Sequence, residues 1–186
     1  MFFNGFSKVR GVRSGARAIA AGVALFVAGS AGCAGKPSAA LPAPPGTKAD
    51  PRVARLLDLR KIPYEIDEQG DYKIVEDLPE GRTQLAFVNS NTEKYGPYET
   101  REVWAAAYRT EGPFPAETAN LLLADSYRKI LGSWQTIAGS DGRHVAVFAM
   151  KIPADTADAD FLAACIENVV HVADGMERQL TGKDDF

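Results

Sequence analysis

From Asp50 onward the apolar positions keep two different rhythms, one suited to helices and one to strands. Asp50-Pro51 supplies a capping acceptor and a proline at the first helical position. Val53, Leu56 and Leu57 then recur at helical spacing until Pro63 ends the run. Apolar and polar residues alternate over 64–67 and 71–76, joined by Glu68-Gln69-Gly70, and again over 83–89, with Leu85 and Phe87 on one side. A polar loop over 90–100 leads to a fourth strand over 102–108. Strict alternation there puts Trp104, Ala106 and Tyr108 on one side and Val103, Ala105 and Ala107 on the other.

Pro113 and Pro115 precede a helix over 116–130, with Leu121, Leu122, Ala124 and Tyr127 as its expected contacts. A hairpin follows around Gly139-Ser140-Asp141-Gly142, between strands over 133–138 and 143–151. The second of these is apolar on both sides, the pattern of an interior strand. A last helix, capped by Asp155 or Thr156, runs to about 180 and carries Phe161, Leu162, Cys165, Ile166, Val169, Val172 and Met176 as one stripe. The expected order is αββββαββα. That is one α+β domain over 50–182, an antiparallel sheet with helices mainly on one face, followed by a polar tail at 183–186.

Residues 1–33 have another character. Lys8, Arg10, Arg13 and Arg17, with no acidic residue among them, precede an apolar run over 18–28, and small residues then lead to Cys33. This is the layout of a secretory signal, and the run is shorter than the about 20 residues a membrane span needs. Ser30-Ala31-Gly32-Cys33 resembles the bacterial lipobox, with Ser30 where that motif usually carries leucine. The resemblance implies that Cys33 is lipidated and begins the mature chain, a membrane anchor that needs no protein span. By the same resemblance, Ala34 favours the periplasmic side of the outer membrane over the inner membrane. Residues 34–49, with four prolines among small residues, read as a tether. Loss of 1–33 leaves a chain four charges more negative than the full-length value of −3, which argues against nucleic acid and against docking on anionic lipid.

The element order carries a further resemblance. So do the strand pair around Gln69-Gly70-Asp71, the run Asn120-Leu121-Leu122-Leu123 leading to Gly132-Ser133-Trp134, and Ala173-Asp174-Gly175-Met176-Glu177. Together they resemble the YbjN-type family of bacterial proteins and, more distantly, the type III secretion chaperones. The first are described as sensory regulators without a defined reaction. The second are dimers that bind extended client segments.

Candidate chemistry is sparse. His144 and His171 are the only histidines, and Ser133 or Ser140 lacks the G-x-S-x-G turn of a hydrolase. Glu167, His171 and Asp174 have ligand-like spacing but fall opposite the apolar stripe beside Arg178, as a solvated face does. Asp67, Glu68 and Asp71 lack EF-hand spacing. No catalytic residue, metal site or cofactor is assigned. The expected function is that of an envelope-anchored, non-enzymatic module that binds a protein or peptide, with a homodimer as one form. Trp104 and Tyr108 are the expected binding residues. The alternative is a periplasmic hydrolase with its site near the 90–100 loop.

Overall fold

A computed structural model describes residues 49–186; Cys33, the signal over 1–33 and nearly all of the tether lie outside the described residues. The elements run α1 (Pro51–Arg60), β1 (Glu65–Ile66), β2 (Tyr72–Asp77), β3 (Thr83–Val88), β4 (Glu93–Tyr95), β5 (Tyr98–Thr110), α2 (Ala116–Arg128), β6 (Ser133–Ala138), β7 (His144–Pro153) and α3 (Ala159–Thr181). All strand pairs are antiparallel. The sheet runs β1-β2-β3-β5-β7-β6, with β4 paired to the outer part of β5. The α+β architecture stands as expected from the sequence, with one more strand.

That strand is β4, in the stretch expected to be a polar loop. Glu93–Tyr95 pairs with Tyr98–Thr100 across Gly96-Pro97, and Gly96 has a φ of 60°. A two-residue turn with glycine first is a hairpin signal of its own. It lengthens β5 to 13 residues.

One face of the sheet is a packed core. Tyr72, Ile74, Ala86, Val88, Val103, Ala105, Phe148, Met150 and Ile152 point to it and are buried. α1 closes it with Val53, Leu56 and Leu57, and α3 with Leu162, Cys165, Ile166, Val169, Val170, Ala173 and Met176. The alanines of β3, β5 and β7 leave room for the 23-residue α3 to lie close to the strands. The cap of α3 is Asp158, whose Oδ1 accepts from the amides of Asp160 and Phe161 at 2.9 and 3.0 Å, rather than the expected Asp155 or Thr156. Residues 154–157 are needed to turn the chain, since the Ala154 amide is still bonded to the Glu99 carbonyl.

The middle helix packs on this same face. Its Leu122 joins the core, and Asp125 accepts a 2.8 Å bond from Nε1 of Trp134 on β6. Trp134 lies directly opposite Phe148 and meets that ring edge-on at 5.4 Å. The other face of the sheet therefore carries no helix among the described residues.

Strict alternation fails at one place. The β5–β7 register slips between Ala106 and Tyr108, so Ala106 opposes Val147 while Tyr108 opposes Ala146. The extra residue, Ala107, is a β-bulge, and beyond it the strand has turned over. Tyr108 lies on the core face against Phe114, with ring centroids 5.8 Å apart. Its expected place beside Trp104 is thus corrected: the two residues are on opposite faces.

Gly132, between α2 and β6, sits at a φ of 83°, and an added Cβ would lie 2.8 Å from Met150 Cγ and Phe148 Cζ. Gly132→Ala should therefore lower unfolding stability by at least about 2 kcal/mol, combining left-handed strain with overpacking. Gly142→Ala, also at positive φ but with nothing within 4 Å of its Cβ, should cost less. Paired denaturant titrations check the difference.

Candidate interaction surface

Two apolar surfaces carry no covering element among the described residues. The first is the outer side of α2. Leu123 and Tyr127 share that side of the helix, and Ile130 and Leu131 follow in the link to β6 after Lys129 has left the helix; Tyr127 and Ile130 are 92% and 99% exposed. Tyr127 and Ala124, expected as core contacts, point to solvent instead. The helix turns its core side through Leu122 and Asp125, and at about 100° per residue Tyr127 falls about 200° round from Asp125, on the outside. Four large apolar residues exposed within 123–131 make this a candidate interaction patch.

The second surface is the open sheet face. The register aligns Lys73, Phe87, Trp104, Ala149 and Ser133 in one row across β2, β3, β5, β7 and β6. Trp104 is half-buried. Phe87 stacks on it at 4.4 Å, and its Nε1 donates to Asn89 Oδ1 at 2.8 Å. Both contacts fix the orientation of the ring. The row ends at Ser133, two residues from Leu131, so the two uncovered surfaces approach each other at the β6 edge. Glu102 and Lys151, 3.5 Å apart, flank the row on its polar side.

A buried polar cluster lies at the start of α1 and beside the 90–100 stretch. Arg101, 3% exposed, donates to Asp50 Oδ2 at 2.6 Å and to the carbonyls of Asn89 and Ala154. Asp50 caps α1 through the Arg52 amide at 2.9 Å, and Arg52 reaches on to Glu99. Ser90 Oγ accepts from the Asp50 amide and donates to the Gly70 carbonyl. Burial raises the Asp50 carboxyl, but bonds from Arg52 and Arg101 prevail and hold it well below its ordinary value. Arg52, then Thr92, bring Glu99 down to about 2. Burial pushes Asp71 up, against the Ser90 amide that donates to it. These groups are engaged with one another, and the adjoining recess, lined by Arg52, Leu56, Arg101 and Leu162, offers about 10 Å³, space for about one water. The geometry is that of a clasp joining α1, β2, β5 and the start of α3.

The remaining candidates are dispersed. His144 Nδ1 lies 3.1 Å from the Gly142 carbonyl, with its ring edge-on to Phe114. Glu167 and His171 are solvated, as expected. Asp174 is not: it takes a short bond from Arg82 Nε, and with Glu177 and Asp184 forms an acidic group around that guanidinium. An arginine at the centre occupies the place a cation would take. Asp67 Oδ1 accepts from the amides of Gln69 and Asp71, as a turn residue does. Cys165 is buried, and burial raises its thiol.

Asp50→Asn keeps a capping side chain while removing the charge opposite buried Arg101, so it should cost about 3–5 kcal/mol. Carboxyls held low in the fold contribute stability that is fully present above their ordinary range near pH 4. That stability is lost as pH falls toward the folded values, about 2 for Glu99 and lower for Asp50. Unfolding free energy should fall steeply from pH 5 to pH 2 in the wild type and less steeply in Asp50→Asn. Denaturant titrations across that range check both statements.

No family model matches the chain, and comparison with curated proteins and with solved structures returned no match.

Proposed function

We propose that this domain is a non-enzymatic protein-interaction module, exported and anchored to the bacterial envelope through lipid on Cys33. The observation that carries the reading is the exposure of Leu123 and Tyr127 on α2 and of Ile130 and Leu131 in the link that follows it. Trp104 extends the surface onto the open sheet face. Tyr108, packed against Phe114, supports the core beneath it instead. The partner is a protein or peptide, and a second copy of the chain is one form it takes. The resemblance to YbjN-type proteins and secretion chaperones agrees with this reading.

The hydrolase alternative draws on the polar cluster around Ser90 and Arg101. Ser90 Oγ is already committed to the Gly70 carbonyl, which supports a structural use of the serine.

Tyr127→Glu combined with Ile130→Glu should leave unfolding stability within about 1 kcal/mol of the wild type, because both side chains are exposed. The same variant should lose the association that the wild type shows in its native envelope. Sedimentation of detergent-extracted protein measures both a homodimer and a larger complex. Unchanged sedimentation of a wild-type complex in the variant would remove α2 from the account.

Protein extracted from membranes should carry its first residue at an acylated Cys33, as intact mass and terminal peptide mapping would show. An unmodified Cys33 would remove the anchor while leaving the interaction surface to stand on its own.

A further inference from the structure

The segment after α3, expected as a polar tail, is seated on the domain. β3 pairs with β5 only through Ala86, Phe87 and Val88, so Thr83, Gln84 and Leu85 have no partner on β5. The strands part at this end, beside the bulge at Ala107. Buried Gln84 bridges the gap, its Nε2 donating to the Ala106 carbonyl at 2.9 Å. Residues 183–186 lie along the notch that remains. The Thr83 amide donates to both oxygens of Asp184 at 3.3 Å, and Arg82 Nη1 donates to the Lys183 carbonyl at 2.7 Å. The Asp185 amide donates to Glu177 Oε1 at 2.6 Å, and the Arg109 guanidinium stands 5.9 Å from the centre of the Phe186 ring.

We propose that this notch is a peptide-docking site, held in cis by residues 183–186, for an extended partner segment with an acidic residue followed two places later by an aromatic one. The chemistry is read from the seated occupant. Two of the contacts, to the Lys183 carbonyl and the Asp185 amide, are made to main-chain groups, so any extended peptide supplies them. Two are selective: a carboxylate for the Thr83 amide and an aromatic face for Arg109. Glu177 lies under the seated segment, where Arg82 and the Asp185 amide donate to it, and the main chain of an extended occupant can reproduce the second contact. Lys183, Asp184 and Asp185 are exposed, and solvent-exposed charged contacts contribute little individually. What keeps the segment in place is its short connection to α3 through Gly182, which gives it a high effective concentration.

The site does not rest on the α2 surface, and the two readings fail separately. The probe is an amidated, fluorescently labelled peptide Gly-Lys-Asp-Asp-Phe, matching residues 182–186. It is titrated against wild-type protein and against Asp184→Ala/Phe186→Ala, which weakens the resident occupant and leaves Arg82, Thr83, Arg109 and Glu177 intact. The peptide should bind the variant at least tenfold more tightly than the wild type, and adding Arg109→Glu should abolish the gain. Equal affinity for variant and wild type would overturn the proposal. So would equal binding of a scrambled peptide, or indifference to Arg109→Glu. Unfolding of the double variant would overturn it as well, because the segment would then be an integral part of the fold. Tyr127→Glu/Ile130→Glu should leave peptide binding unchanged.

Discussion

A sheet has two faces, and among the described residues this one has its three α-helices on the same one. The rest of the structure follows from that allocation. The face under α1 and α3 is built from small residues flanked by larger ones, so a long helix can lie close against the strands at interior packing density. α2 has no remaining place over the centre and settles at the edge, where Asp125 and Leu122 meet β6. A helix at an edge is covered on one side only. Its sequence nevertheless carries apolar residues on the outer side, and these remain in water.

Two local devices set the limits of the core. The bulge at Ala107 turns the end of β5 so that Tyr108 joins the buried side, while Trp104 stays on the open one. The same irregularity leaves β3 and β5 parted and creates the notch bridged by Gln84. At the opposite end, the bond between Asp50 and buried Arg101 fixes the first turn of α1 to β5 and to Ala154. The chain thus enters the domain at a buried ion pair. Such a pair is costly to break, because one partner alone is left desolvated.

Much of the fold was legible in the residues. Hydrophobic spacing located all three helices, and the α3 stripe named its buried side, because a 23-residue helix averages over many turns. Asp141-Gly142 located the last hairpin. What escaped has physical reasons. A bulge leaves no mark on alternation until the partner register is known, so Tyr108 was placed by parity on the wrong face. The β4–β5 hairpin was hidden by polar composition, although Gly96-Pro97 between Tyr95 and Tyr98 carried a turn signal. Tyr127 was counted as core because helical spacing alone does not say how wide the covered side of an edge helix is. Asp174 followed the solvated side of α3 by angle, yet Arg82 reaches it from a turn whose position in space the sequence does not give.

The central claim is that the outer side of α2 is covered by another protein where the chain works. Hydroxyl-radical footprinting of the protein in its native envelope, compared with the isolated folded domain, tests this without altering a residue. The account predicts that Tyr127 and Ile130 are shielded in the envelope, while Leu59 on α1 and Tyr95 at the β4–β5 turn, both exposed and off this surface, label equally in the two samples. Equal labelling of Tyr127 and Ile130 in both samples would contradict it.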